Sequence, residues 1–238
     1  KNRVIKNIFK FLRAVIITLV VLYGLVVVLL HIPAVQEQLT LVAHRQLSAL
    51  LDTPVQIGHI TVGYPDRIIL DDVKIEDKQG NRLLQTARLS ARFEWMPLFR
   101  DGRISIHTAQ IFGLQAEVNR QHPDAPLNVQ FIIDKLSSPD DTPSESSLDL
   151  RINSLQIRRS RVKYDVFSEP MTDGVFNPNH IAVANINANI SLKALHSDSI
   201  NLHVKRLDFE EQSSGFTLKG LETRVKGGRS GVQMQGFD

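Results

Sequence analysis

Cysteine is absent from the 238 residues of this chain, which rules out a disulfide scaffold and thiol chemistry and leaves export neither favoured nor opposed. Aromatic residues are scarce: Trp95 is the single tryptophan, too little for a platform on which bases stack. No Gly-x-Ser-x-Gly, P-loop or dinucleotide fingerprint occurs. The eight histidines, His31, His44, His59, His107, His122, His180, His196 and His203, are scattered, and no two share metal-ligand spacing on one expected element. Adjacent acids at Asp71-Asp72, Asp140-Asp141 and Glu210-Glu211 point to opposite faces on a strand, so they read as turn or edge charges rather than an acid/base couple. The chain is therefore read as a non-enzyme with no catalytic residue, metal or cofactor. Its net charge of +3 and pI near 9.2 come from five cations at the amino end, Lys1, Arg3, Lys6, Lys10 and Arg13. What remains is near neutral, and no nucleic-acid footprint is indicated.

One long apolar run is present. Ala14 to Leu30 carries no charge, and with His31 and Ile32 it reaches about 28 Å as a helix, close to the hydrocarbon thickness of a bilayer. Basic residues precede it and the next one is Arg45, so the positive-inside rule puts residues 1–13 in the cytoplasm as a basic tail, 14–32 across the membrane, and the rest outside. A cleavable signal peptide competes with this reading. The run is longer than a signal core, though, and His31-Ile32-Pro33-Ala34-Val35-Gln36 offers no small-x-small cleavage site.

Beyond the anchor, residues 33–53 read as an amphipathic helix, with Val35, Leu39, Val42, Leu47, Leu50 and Leu51 at three-to-four spacing and Asp52-Thr53-Pro54 as its stop. Such a helix lies in the lipid interface or covers the end of a sheet. After Pro54 one pattern returns: two alternating apolar residues, a one-residue slip, then two more. It occurs at Val55, Ile57, Ile60 and Val62; at Ile68, Leu70, Val73 and Ile75; and at Ile104, Ile106, Ala109 and Ile111. Further copies are Leu150, Ile152, Leu155 and Ile157; Ile181, Val183, Ile186 and Ala188; Leu202, Val204, Leu207 and Phe209; and Phe216, Leu218, Leu221 and Thr223. A slip of one residue throws half of a strand's side chains to the wrong face unless a β-bulge absorbs it, bending the strand as it does so. For Asp71-Asp72 the alternative is a turn between two short strands. The expected fold is mainly β: the two helices followed by a curved, bulged antiparallel sheet forming an open β-groove. Residues 54–136 form its first part, ending in a short helix at 128–136, and the polar stretch 137–147 is a linker or long loop. Residues 148–238 continue the groove, with the chain taken as a segment of a longer protein.

A sheet with one oily face and few helices to cover it either packs on another sheet or offers that face to a ligand. An open trough suits acyl chains, because exposing a sixteen-carbon chain to water costs roughly 12 kcal/mol. The candidate lining is Ile152, Leu155, Ile157, Ile186, Ile190, Leu192, Leu202, Val204, Leu207, Phe209, Phe216 and Leu218. A closed β-sandwich, with the oily face as plain core, is a weaker reading.

The order of features resembles the N-terminal region of the AsmA-like and TamB family. It runs from the anchor through Val35-Gln36 to Thr53-Pro54-Val55-x-Ile57-Gly58-x-Ile60, then Ile68-x-Leu70-x-Asp72-Val73-x-Ile75-x-Asp77 with Gly80. Trp95-x-Pro97-Leu98-Phe99 and Gly102-x-Ile104-x-Ile106 follow. The likeness holds from the anchor to about Arg120; beyond that it is one of texture, with Gly215-Phe216-x-Leu218-x-x-Leu221 as its best piece. The resemblance implies a protein of the bacterial inner membrane with its bulk in the periplasm, where a long open β-groove carries phospholipids towards the outer membrane. It also implies an outer-membrane barrel of the BamA type as a partner. An assembly factor or tether that pairs with client strands through its sheet edges is the competing function.

Overall fold

The computed structural model describes all residues except 1, 31, 64–65, 95, 97–99, 101–104, 138–150, 173, 197–198, 229–230 and 237–238. Two helices open the chain. Helix α1, Asn2–Leu30, includes the apolar stretch Phe9–Leu30, of mean hydropathy 2.7 and with none of it buried against the protein. At 1.5 Å per residue its 22 residues reach about 33 Å, enough to span a membrane. The helix begins twelve residues before the expected span, so the basic tail is helical too. It stops at Leu30 because Ile32 precedes a proline and takes an extended conformation (φ −71°, ψ 124°). Pro33 then starts α2, Pro33–Leu51, at the position where a missing N–H costs nothing. Asp52, left-handed at φ 51°, ends α2, and the amide of Thr53 donates to the Ser48 carbonyl at 3.2 Å.

Among the described residues eleven strands follow, all in one sheet: β1 Val55–Gln56, β2 His59–Gly63, β3 Arg67–Glu76, β4 Arg82–Glu94, β5 Ser105–Phe112, β6 Gln115–Arg120, β7 Arg151–Val166, β8 His180–His196, β9 Ser199–Glu211, β10 Thr217–Gly228 and β11 Gly231–Gln235. A third helix, α3 Gln130–Ser137, stands between β6 and β7, close to the short helix expected at 128–136. β1 and β2 share one flank of β3, and β5 and β6 together fill the place between β4 and β7. The sheet thus has nine lateral positions and is about 38 Å wide at roughly 4.8 Å per strand. No second sheet packs across it among the described residues.

The sheet is mixed rather than antiparallel. β7 pairs in parallel with both β5 (Ile111↔Ile157) and β6 (Ala116↔Val162). A parallel neighbour needs a connection that returns to the starting end of the sheet, and α3 stands in the chain between β6 and β7. Meander strands β7 to β11 are antiparallel throughout. Asp71-Asp72 does not divide β3 into two strands; β3 is continuous, with Asp72 at φ 52°. The expected linker 137–147 lies outside the described residues apart from Ser137, the last residue of α3. Trp95-x-Pro97-Leu98-Phe99, except for its exposed Met96, and the Gly102–Ile104 stretch lie outside them as well.

Left-handed residues form a line across the sheet. The Gly58 amide faces the carbonyls of Asp71 and Asp72 (3.0 and 3.3 Å), and the register places Asp72 (φ 52°) opposite Ala87 and Ala87 opposite Gly113 (φ 68°). The Gly113 amide donates to Arg158 at 2.9 Å, beside Arg159 (φ 49°). Asn185 (φ 54°) and Gly220 (φ 74°) continue the line on β8 and β10. Register shifts accompany it between Ile157 and Ser160, between Ala184 and Asn187, and between Leu218 and Leu221.

Candidate functional site

Because paired residues on adjacent strands share a face, the register traces what each face presents. One row runs Ile60–Leu70–Leu89–Ile111–Ile157–Ala188–Leu207–Leu221 from β2 to β10 without a polar member. Beside it runs Val62–Ile68–Ala91–Ala109–Leu155–Ile190–Val204–Thr223. The opposite face carries Ser90–Gln110–Gln156–Asn189–Arg206, and there Gln110 Nε2 donates to Gln156 Oε1 at 3.1 Å. Along these rows apolar and polar surfaces are therefore separated from β4 to β9.

At one end of the rows a core forms. Leu51, Val55, Ile57, Ile60 and Val73 are buried, with Ala43 and Leu47 of α2, Ile132 of α3, and Ile68, Leu70, Ile75 and Leu89 packed around them. Polar ties seat α2. Thr40 Oγ1 accepts the Ile60 amide at 3.2 Å, Ser48 Oγ accepts the Val55 amide at 3.0 Å, and the Thr53 hydroxyl donates to the Glu76 carbonyl at 2.8 Å. Helix α2 thus covers the end of the sheet, while Leu41, Val42 and Leu50 on it are exposed.

At the other end the rows continue uncovered. Among the described residues neither α2 nor α3 makes more than marginal contact with β7 to β10. The twelve expected lining residues fall here and come together. Ile157 and Leu207 lie in the first row, and Leu155, Ile190 and Val204 in the second. Leu192 pairs Leu202, Ile186 pairs Ser160, Phe209 pairs Leu218, and Ile152 pairs Ile106. Eleven of the twelve are half-buried, and Phe216 is exposed in the turn before β10, its ring centroid 6.1 Å from that of Phe209. Two small residues are buried beside them, Ser160 at 1 % and Ala188 at 3 % exposure. The Ser160 hydroxyl donates to the Arg158 carbonyl (3.1 Å) and accepts the Leu114 amide (3.2 Å), so its burial leaves no unpaired hydroxyl.

Polar residues that the sequence pattern did not single out organise the rims and the back. Glu211, 2 % exposed, accepts the Ser214 hydroxyl (2.5 Å) and the amides of Ser214 (2.8 Å), Ser213 (3.1 Å) and Ala182 (3.4 Å). These bonds, the Ser214 hydroxyl foremost, outweigh burial and pull its carboxyl down to about 2. The Glu211 of the acidic pair is therefore buried and builds the β9–β10 turn. On the back, Asp208 accepts from Arg206 Nε (2.8 Å) and from the Gly220 amide (2.6 Å), both of which hold its carboxyl below the ordinary range. Asn185 and Asn187 join these two, together with Phe209 and Leu218 of the expected lining, around a hollow of about 450 Å³. No group of three or more His, Cys, Asp or Glu stands together as a metal site among the described residues.

Fold and face define the class: a mainly β chain with one mixed sheet, apolar on one face, behind an N-terminal helix long and apolar enough to span a membrane. No protein-family model matches it, and no curated protein matches its sequence.

Proposed function

We propose that the uncovered apolar face over β7 to β10 shields phospholipid acyl chains, making this chain a lipid-carrying module of the AsmA-like and TamB type. In this reading α1 anchors it in the bacterial inner membrane, with its amino end cytoplasmic and its bulk in the periplasm. The sheet is then an open, bulged groove leading towards the outer membrane, and the protein is a carrier rather than an enzyme. One observation carries the reading: two apolar rows continue across β7, β8 and β9, half-buried except at Ala188, and among the described residues no helix packs over them. At about 25 cal/mol per Å², an apolar face of this kind is stabilised by whatever covers it, and an acyl chain matches it in shape and chemistry. In this reading α2 and α3 cover the β1–β4 end, where they pack on the core, and the lipid path lies over β7 to β10.

The test is the lipid content of the purified protein. Phospholipid co-purifies with the wild type, and Ile190→Glu, which puts a carboxylate into the middle of the second row, removes most of it while the far-ultraviolet spectrum is unchanged. Equal lipid in both proteins refutes the reading. A second function is favoured by the edges: β11 and the β1/β2 pair are the outermost strands of the described sheet, and unpaired edges recruit strands. If the chain is an assembly factor or tether, crosslinkers on β11 capture protein, including a barrel of the BamA type, rather than lipid.

A further inference from the structure

The β7–β8 connection, residues 167–179, carries four large apolar side chains in the open: Phe167, Met171, Val175 and Phe176, exposed by 57, 70, 55 and 59 %. Backbone bonds fix where it leaves and where it returns. The Phe167 amide donates to Arg120 (3.0 Å), the Ser168 amide to Gln121 (2.9 Å) and the Glu169 amide to Val166 (3.1 Å); at the far end the His180 amide donates to Asn177 (3.1 Å), and Asn177 Nδ2 donates to the Pro170 carbonyl (3.1 Å). Between these points the side chain of His180 reaches from β8 into the first half of the loop. Its Nδ1 lies 3.0 Å from Asp165 Oδ1 and its Nε2 2.9 Å from the Glu169 carbonyl oxygen.

Both partners are acceptors, and a neutral imidazole has a hydrogen on one nitrogen only. The two bonds therefore exist together only when the ring is an imidazolium. Its surroundings favour that state. His180 is 10 % exposed and Asp165 13 %. Lys163 also reaches Asp165, at 2.8 Å, leaving the carboxylate shared between two cations. Around this group, Arg120 of β6 lies over the Tyr164 ring at 5.6 Å, and Glu211 of β9 is bonded to Ala182, Ser213 and Ser214. The hydrogen bond to Asp165 and that to the Glu169 carbonyl, against burial and the Lys163 charge, raise His180 above the ordinary value of 6.5.

We propose that His180 is a proton-operated latch: as an imidazolium it ties the Glu169 carbonyl to β8, and on losing its proton it gives up that tie and loosens the chain beyond it, which bears the exposed Met171, Val175 and Phe176. The sign follows from the raised value. The latch is fully closed below the ordinary histidine range and opens as pH rises through the folded value.

Absence of cysteine makes the test direct. A nitroxide on Val175→Cys, in the full chain in detergent micelles, reports loop mobility from about pH 5.5 to about pH 9. The expected spectrum is restricted at the acid end and gains a mobile component with a midpoint above 6.5; a label on Gln79→Cys in the β3–β4 turn shows no such change. In a His180→Gln background, whose side-chain amide does not titrate, the transition is lost. Asp165→Asn, which removes the facing charge, moves the midpoint to lower pH. An unchanged Val175→Cys spectrum across the range overturns the proposal, as does the same transition persisting in His180→Gln. Where His180→Gln fails to fold, a midpoint unmoved by Asp165→Asn overturns it.

Discussion

At its β1–β4 end the sheet is a core, and at its β7–β10 end it is a surface, although the same two rows of side chains run through both. Ile60 and Ile157 stand in one row, yet Ile60 is buried at 6 % exposure while Ile157 is half-buried. The strands do not differ in apolar character. What differs is what the chain brings over them: α2, tied down by Thr40, Ser48 and Thr53, and α3, which the return connection lays beside it. An apolar row is thus core or binding face according to cover, and cover is set by connectivity.

The largest effect that separates the two ends comes from a buried charge. Ile60→Glu places an unpaired carboxylate among Leu51, Val55 and Val73 and costs about 3–5 kcal/mol, whereas Ile190→Glu leaves the sheet folded because its carboxylate reaches water. Urea unfolding followed by circular dichroism measures both, and equal losses would erase the distinction between core and surface.

Next in size is Glu211, which sits at the rim of the uncovered end. Its four hydrogen bonds to a charged acceptor make Glu211→Gln destabilising by about 2 kcal/mol at neutral pH. The folded carboxyl, at about 2, lies below the ordinary 4.5, so the unfolded chain binds the extra proton. The stabilisation is complete above 4.5 and is lost as pH falls towards 2. Wild-type stability therefore drops across that window more steeply than that of Glu211→Gln. Parallel curves would remove Glu211 from this role.

Smaller effects map the left-handed line where it passes from one end to the other. Gly113→Ala forces an L-residue to φ 68° and brings its Cβ to 3.2 Å from that of Ala87. The cost is about 2 kcal/mol. Gly220→Ala, at φ 74° with nothing within 4 Å, pays for conformation alone, about 1 kcal/mol. Thermal unfolding ranks the two, and the reverse order would contradict the register of β4 on β5 and β6.

Much of this was legible in the residues. The slips between Leu70 and Val73 and between Val183 and Ile186 bracket Asp72 and Asn185, both left-handed, because apolar period survives wherever one face meets apolar surroundings. Aspartate and asparagine also tolerate the left-handed region. Arg159 gave no signal, since nothing in an arginine announces a positive φ; its conformation comes from the neighbours on both sides. Strand direction was equally silent: alternation is the same in parallel and antiparallel pairs, and the parallel β5–β7 contact depends on where a loop returns. Glu211 was read as a turn or edge charge and His180 as one of eight scattered histidines; their burial was not legible because their partners, Ser214 and Asp165, acquire meaning only once the turn and the register exist.

The most direct measurement is a photocrosslinking scan in membranes, with one crosslinker at a time at Ile57 and Val73 under the helices, at Leu155, Ile190 and Val204 on the uncovered rows, and at Asn189 on the back. The account predicts phospholipid adducts at Leu155, Ile190 and Val204 and none at the other three. Adducts of equal yield at Ile190 and Asn189, or none at any of the uncovered positions, would contradict it.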